Sequence, residues 1–234
     1  MKTKRIWCFT LAICSIFIAL ATKAQDYRIV YPESYGNAVA FFNNAPWITD
    51  TLARYGINPC VAKAVVFPEV MRYSALKDAI EVRALKVLYI QYGKEYANFS
   101  VGQFQMKPSF AEELELAWNQ LVDTSNSPLP FGKFDTAPGA TARLERVKRL
   151  ESVSGQLKYL AAFVKVMQAR FNADTASCTW FLAAAYNVGF QKSEQEIRKQ
   201  GSMPYFHAGT LKPSQCHCYA HIALQYFTEQ SENR

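Results

Sequence analysis

The chain has 234 residues, of which 50% are hydrophobic, and a formal net charge of +7. Residues 1–24 carry four basic side chains and no acidic ones, so residues 25–234 have a net charge of only +3. This size fits one domain with a substantial core. The sequence contains no internal repeats or low-complexity blocks. A mildly basic chain suits an anionic polymer as partner but does not require one. The basic residues of 143–149 lie among glutamates, as on an ordinary solvated helix face, so we expect no nucleic-acid partner.

The first 24 residues are organised like a secretory signal peptide. Lys2, Lys4 and Arg5 precede a nearly unbroken apolar run over residues 6–21, and small residues occupy positions 22 and 24. The alternative is an uncleaved membrane anchor, but the apolar run is short for a span of about 20 residues. The sequence therefore predicts an exported protein of the periplasm or cell envelope, cut before Gln25 and without a stable membrane anchor afterwards.

Helix signals begin after an N-terminal leader. Residues 25–36 contain turn residues and predict an irregular segment, and residues 37–54 predict a first helix interrupted near Pro46. We assign residues 25–57 to this leader and first helix. Pro59 suits the first turn of the next helix, whereas Pro68 removes a backbone hydrogen bond inside it and predicts a kink just before Glu69.

The remaining segments, residues 58–230, predict one mainly α domain. A helix over 75–96 is followed by a loop or short β-hairpin over 97–107 and by a helix that Pro108 opens. The stretch 123–139 is rich in Pro, Ser, Gly and Asp and predicts a long surface loop. One long helix with an apolar stripe follows, and two more helices are expected at about 175–187 and 215–229.

Glu69 is the first candidate for chemistry. It follows a run of apolar residues at 64–67, and burial of a carboxyl group raises its pKa because burial disfavours the charged form. A glutamic acid that is still protonated near neutral pH can act as a general acid. The alternative is an ordinary solvent-facing glutamate at a helix end.

Two motifs downstream make an ordinary solvent-facing glutamate the less favoured interpretation of Glu69. They are GQFQMKP at 102–108 and AAYNVG at 184–189. Together with the upstream glutamate, and in this order, they resemble the lytic transglycosylase and goose-type lysozyme superfamily, which contains the SLT-like transglycosylase domain. The similarity covers roughly residues 58–190, and the Tyr-Asn motif is its most specific part. The resemblance implies a lysozyme-like helical fold and cleavage of peptidoglycan glycan strands, without a cofactor or a metal.

The resemblance also implies roles for individual residues. Glu69 would act first as acid and then as base on the bond between N-acetylmuramic acid and N-acetylglucosamine, giving a 1,6-anhydro product. Tyr186 would hydrogen-bond near Glu69, and Gln105 and Asn187 would contact or shape the sugar groove. The glycine-glutamine turn is also expected to line that groove; its residues are Gly102 and Gln103. A hydrolytic lysozyme with water in place of the sugar hydroxyl is the second possibility.

The chain departs from the family pattern at two points. Val70 stands where the family usually has serine directly after the glutamate, and the separation between Glu69 and Gly102 is lengthened by the helix predicted over 75–96. The second departure makes Glu95 a rival acid, although its neighbours are polar. These features favour a competing hypothesis, an inactive peptidoglycan-binding or scaffolding module. Envelope or secretion-apparatus proteins are candidate partners in either case.

Four cysteines remain outside the signal segment, and an exported protein with an even number suggests two disulfides. They are Cys60, Cys178, Cys216 and Cys218. A bond between Cys216 and Cys218 would close a very tight ring, so we expect each to pair with one of the two upstream cysteines. A zinc site is the less favoured alternative, because its ligands would crowd one another. Those ligands would be Cys216, His217, Cys218 and His221.

Overall fold

In a computed structural model, the chain is described over residues 25–73, 75–124, 130–171, 178–207 and 216–232, without the side chains of 75–82 and 124. The predicted signal peptide lies outside these residues. The mainly α class is confirmed: the described residues form eleven helices and two isolated antiparallel bridges. The helices are α1 (Tyr27–Val30), α2 (Pro32–Asn43), α3 (Pro46–Arg54), α4 (Pro59–Arg72), α5 (Ala75–Tyr92), α6 (Pro108–Thr124), α7 (Ala140–Glu151), α8 (Val153–Phe171), α9 (Thr179–Val188), α10 (Glu194–Gly201) and α11 (Tyr219–Glu232).

The N-terminal leader is helical, contrary to the sequence prediction. The Asp26 side chain accepts a hydrogen bond from the backbone N–H of Arg28 and caps α1, and Pro32 opens α2 at a position where a missing N–H costs nothing. The predicted interruption at Pro46 is confirmed, since this residue opens α3. Helices α2 and α3 both pack against α4, so residues 25–57 share the hydrophobic core of the rest.

Helix α4 is the central element of the fold. Asn58 caps it through its side chain, and Pro59 occupies its first turn. The helix continues through Pro68 to Arg72, so this proline does not end it. Residues 64–71 are all buried, because α4 is enclosed by α2, α9 and α11. A helix buried on nearly every side has no amphipathic pattern, which is why its apolar run is so continuous.

Two other predicted segments have a different form. The predicted hairpin over 97–107 is a tight turn closed by one antiparallel bridge between Val101 and Met106. The predicted single long helix is divided into α7 and α8 at Ser152, which has an extended backbone and accepts a hydrogen bond from the N–H of Gly155. A serine hydroxyl that caps the next turn competes with the continuing helix, so it explains this break.

A buried ion-pair network joins α6 to α7 and α8. The fully buried Glu115 carboxylate accepts hydrogen bonds from Arg146 Nη2 at 2.5 Å, Arg149 Nη2 at 2.9 Å and the Tyr159 hydroxyl at 2.5 Å. Arg146 Nη1 also donates to the Tyr89 hydroxyl of α5 at 2.7 Å. Four helices are thus held in one arrangement by charge-assisted hydrogen bonds.

The four described cysteines are not paired in the structure, and the two disulfide bonds stay a prediction. The buried Cys218 thiol donates to the Gly201 carbonyl at 3.0 Å, at the beginning of α11.

Candidate active site

A cleft of about 370 Å³ opens where the end of α4 meets the 101–106 turn, the start of α6 and the end of α9. Four of the predicted residues line it, and they come from α4, from the turn and from α9. They are Glu69, Gln105, Tyr186 and Asn187. The remaining lining is mostly polar and consists of Arg72, Asn98, Ser100, Met106, Lys107, Ser109, Phe110, Glu113, Val188, Gly189 and Phe190.

The Glu69 carboxyl group lies at the wall of this cleft and is almost completely buried, with 6% of the residue exposed. Its Oε2 accepts a hydrogen bond from Arg72 Nη2 at 2.6 Å. Burial raises the pKa of Glu69 from 4.5 to about 7, although the positive charges of Arg72 and Lys107 act in the opposite direction. Desolvation outweighs the ion pair here because the Arg72 side chain is 36% exposed, so its charge is partly screened by water.

The surroundings of Glu69 fix its position. The Tyr219 hydroxyl of α11 donates to the Val65 carbonyl of α4 at 2.8 Å, one turn before Glu69. The Arg72 guanidinium lies over the Phe206 ring at 5.0 Å from its centroid. The helix that carries the carboxyl and the cation that pairs with it are therefore each held by an aromatic residue from the C-terminal part of the chain.

The 101–106 turn owes its shape to two residues with positive φ. Gly102 has φ 66° and Gln105 has φ 49°, and the Gln105 side-chain amide donates to the Gly102 carbonyl at 2.8 Å. From the other side, Gln156 of α8 accepts from the Phe104 N–H at 2.8 Å and donates to the Leu150 carbonyl at 2.5 Å. The turn is thus anchored to the core, and its Gln105 corner faces the cleft.

The structure does not place Gly102 and Gln103 in the lining of the cleft, in contrast to the role implied by the resemblance. Gly102 is buried and faces the opposite way: a Cβ atom there would lie 1.8 Å from Gln156 Nε2 and 2.8 Å from the Leu150 carbonyl oxygen. Its function in the structure is to permit the turn and its close approach to α8. Gly102 therefore affects the shape of the cleft indirectly, through the conformation of the turn.

We expect Gly102→Ala to lower the free energy of unfolding by about 3 kcal/mol, since left-handed strain of about 1–2 kcal/mol adds to overpacking of about 1–3 kcal/mol. Gly132→Ala is the matched control, because Gly132 also has a positive φ of 63° but nothing within 4 Å of a new Cβ. The control should lose only about 1 kcal/mol in urea denaturation. Equal losses for the two variants would contradict the close packing of Gly102.

Tyr186 lies next to Glu69, but its hydroxyl donates to the Phe104 carbonyl at 2.7 Å. The tyrosine therefore ties α9 to the turn rather than bonding to the carboxyl group in this structure. Burial and the nearby Glu69 charge raise the Tyr186 pKa well above its usual value, so the hydroxyl stays protonated. Asn187, the next residue, is exposed at the rim of the cleft.

The structure separates the two candidate acids. Glu95 is exposed and lines a different pocket, whereas Glu69 shares the cleft with the two motifs. Val70, where the family usually has serine, is 93% buried and does not line the cleft. A serine at this position would not contribute to the cleft in the same orientation.

Sequence reasoning missed several residues of the cleft. Arg72 was detectable in principle, because residues three apart on a helix lie on the same face as Glu69. Ser109 and Glu113 are likewise four residues apart on one face of α6, directly after the first motif. Asn98 and Ser100 precede the turn in an irregular segment and gave no periodic signal.

Replacing Arg72 by methionine should raise the Glu69 pKa further, by roughly one pH unit or more, because the strongest group that stabilises its carboxylate is removed. A pH titration of the ¹³C chemical shift of the Glu69 carboxyl carbon measures this value directly. Lys107→Met should raise it less, as Lys107 acts only through its charge, and the surface variant Lys148→Met should leave it unchanged. An unchanged Glu69 pKa in Arg72→Met would contradict the ion pair.

No three His, Cys, Asp or Glu side chains of the described chain are grouped so that they would hold a metal ion, and this includes His217 and the described cysteines. Within the same residues, no helix is long and apolar enough to cross a membrane. Comparisons with protein-family models, with curated proteins and with solved structures found no match to this chain.

Proposed function

We propose that the chain is an exported, peptidoglycan-cleaving enzyme, a lytic transglycosylase that needs no cofactor. The observation that carries the proposal is the buried Glu69 carboxyl group, with a pKa of about 7, at the wall of an open polar cleft. A carboxyl group that is substantially protonated at neutral pH and can reach a bound polymer is suited to general acid catalysis. The mildly basic charge of residues 25–234 is compatible with an anionic glycan strand.

The proposed mechanism uses one carboxyl group twice. Glu69 donates its proton to the glycosidic oxygen between N-acetylmuramic acid and N-acetylglucosamine, and the bond to the anomeric carbon breaks. The resulting carboxylate accepts the proton of the muramic 6-hydroxyl, whose oxygen bonds to the anomeric carbon and closes a 1,6-anhydro ring. Arg72, at 2.6 Å, stabilises the carboxylate that exists between these two proton transfers.

The remaining polar lining supports the binding of sugars. Asn98, Ser100 and Asn187 present amide and hydroxyl groups to the cleft, and these groups can both donate to and accept from sugar hydroxyl and acetamido groups. Gln105 presents a side chain whose amide is already ordered by the Gly102 carbonyl. Ordered polar groups in a cleft orient a ligand at a low entropic cost.

A hydrolytic lysozyme is the second candidate, and Glu113 favours it. This residue is a second carboxylate in the lining of the cleft, and hydrolytic glycosidases usually place two carboxyl groups around the scissile bond. In that mechanism Glu113 would activate a water molecule while Glu69 protonates the leaving group. A transglycosylase has no need of this second carboxylate.

Digestion of purified sacculi followed by mass spectrometry of the muropeptides tests both candidates. We expect anhydro-muropeptides from the wild-type chain beginning at Gln25 and none from its Glu69→Gln variant. Products with a reducing end would establish the hydrolase and a role for Glu113 instead. Intact sacculi with a folded wild-type chain would reject both enzymes in favour of an inactive binding or scaffolding module, with envelope or secretion-apparatus proteins as partners.

A further inference from the structure

A second pocket, of about 340 Å³, also borders the first turns of α6. Glu112 and Leu116 line this pocket, whereas Ser109 and Glu113 line the Glu69 cleft. The same alternation occurs in the chain before the turn, where Glu95 belongs to the second pocket and Asn98 to the cleft. These two residues lie at most about 10 Å apart, since a residue spans no more than about 3.4 Å. The linings of the two depressions therefore come close together along this segment and along α6.

Tyr92 lines the second pocket, and a second exposed tyrosine, Tyr96, lies beside it. Tyr92 is 61% exposed and Tyr96 is 68% exposed, and their ring centroids are 5.2 Å apart at an angle of 45°. Gly93, with φ 90°, ends α5 between them, and the N–H of Tyr96 bonds to its carbonyl at 3.2 Å. This sharp turn, which favours glycine, brings the second tyrosine beside the first.

The tyrosine pair rests on a rigid support. Arg143 of α7 donates from Nε to the Ile90 carbonyl and from Nη2 to the Gln91 carbonyl, both at 2.8 Å, and so fixes the end of α5. Arg146 donates to Tyr89 one turn earlier in the same helix. Exposed aromatic rings on a fixed backbone, beside a pocket with charged lining residues, form a contact surface for a ligand.

The geometry points to a distal glycan-binding site, in which Tyr92 and Tyr96 stack against sugar rings of the strand that occupies the Glu69 cleft. The negative π-faces of the tyrosines suit the partly positive C–H groups of a pyranose ring, and the charged wall of the pocket suits its hydroxyl and acetamido groups. Leu116, which is 56% exposed, adds an apolar side chain to the lining of this pocket. This inference rests on the proposed function, and it assigns a role to the helix that distinguishes this chain from the family pattern.

The test compares binding of the β-1,4-linked hexamer and trimer of N-acetylglucosamine, by titration calorimetry, in the Glu69→Gln background so that the ligand is not consumed. We expect the hexamer to bind at least tenfold more tightly than the trimer. In the double variant Tyr92→Ala/Tyr96→Ala this ratio should fall toward one. The Tyr92→Phe/Tyr96→Phe variant should keep it, because the rings remain.

Trp47→Ala is the matched control, since Trp47 is 45% exposed on α3 and lines neither pocket. If both the double alanine variant and this control keep the hexamer-to-trimer affinity ratio of the Glu69→Gln parent, the distal site is rejected while the cleft and the proposed function stand. A change of sedimentation mass without a change of the ratio would make the tyrosines a self-association surface and would also reject the site. If neither saccharide binds any of the proteins, the distal site fails together with the proposed substrate.

Discussion

Replacing Glu69 by glutamine should lower the rate of glycan cleavage by at least about 100-fold, and by up to about 10⁴-fold, the usual contribution of a general acid. Glutamine keeps the size and the hydrogen-bonding capacity of the side chain but has no acidic proton to transfer to the glycosidic oxygen. The loss should appear in kcat, because the amide still contacts Arg72 and the polar lining of the cleft. Release of soluble muropeptides from labelled sacculi measures it. Activity within a few-fold of wild type would exclude Glu69 as the acid.

The same variant should be at least as stable as the wild type, and this separates lost chemistry from lost structure. The folded-state pKa of Glu69 is about 7 and its ordinary value is 4.5, so the folded protein binds more protons between these two pH values. Wild-type stability therefore falls as pH rises from about 4.5 to 7, by up to about 3 kcal/mol. Glu69→Gln should abolish this part of the decline and have the higher Tm at pH 8, with a smaller difference at pH 5. A lower Tm at pH 8 would contradict the buried carboxylate.

Removing the other buried carboxylate should have the opposite effect on stability. Glu115→Ala should lower the free energy of unfolding by about 3–5 kcal/mol, because it leaves the Arg146 guanidinium buried without its main partner. Arg149 also loses its bond to Glu115, and the Tyr159 hydroxyl loses its acceptor. At about 2–4 °C per kcal/mol, Tm should fall by roughly 10 °C.

Glu145→Ala is the matched control for that measurement. Glu145 is paired with Lys148 on the surface of α7, where the two side chains are 49% and 56% exposed, and exposed pairs contribute about 0–1 kcal/mol. Thermal unfolding followed by circular dichroism compares the two variants on the same scale. A Glu115→Ala variant no less stable than Glu145→Ala would show that the network is not needed to hold the four helices.

The sequence was most informative where a local signal decides the structure. Pro59 and Pro108 open helices as predicted, because the lack of an N–H is harmless only in a first turn. The break at Ser152 was missed because the apolar stripe continues across it, so periodicity alone describes one helix where a capping bond makes two. The helical leader was missed for a related reason: its stability comes from contacts such as Tyr35 to Glu229, which are remote in sequence.

In the candidate site, too, the residues could be predicted from local sequence motifs but their orientations could not. Glu69, Gln105, Tyr186 and Asn187 could be named from their motifs, and the structure brings them to one cleft. Their orientations could not be predicted, because they depend on which face of the turn meets Gln156 of α8. For that reason the glycine and glutamine that begin the first motif were assigned to the sugar groove, although neither lines the cleft and Gly102 packs against α8 instead.

The hydrogen bond from Tyr219 to Val65 joins residues 154 positions apart, and the bond from Gln225 to Asp26 joins residues 199 positions apart. The helix that carries Glu69 is thus enclosed in part by α11, which lies far from it in the sequence. Because contacts of such large sequence separation require the closure of long loops before any gain in free energy, folding should be slow for an α-helical protein of this size. Until α11 packs against α4, part of the apolar surface of α4 stays exposed and the burial that raises the pKa of Glu69 is incomplete. The raised pKa of Glu69 is therefore a property of the packed fold and not of α4 alone.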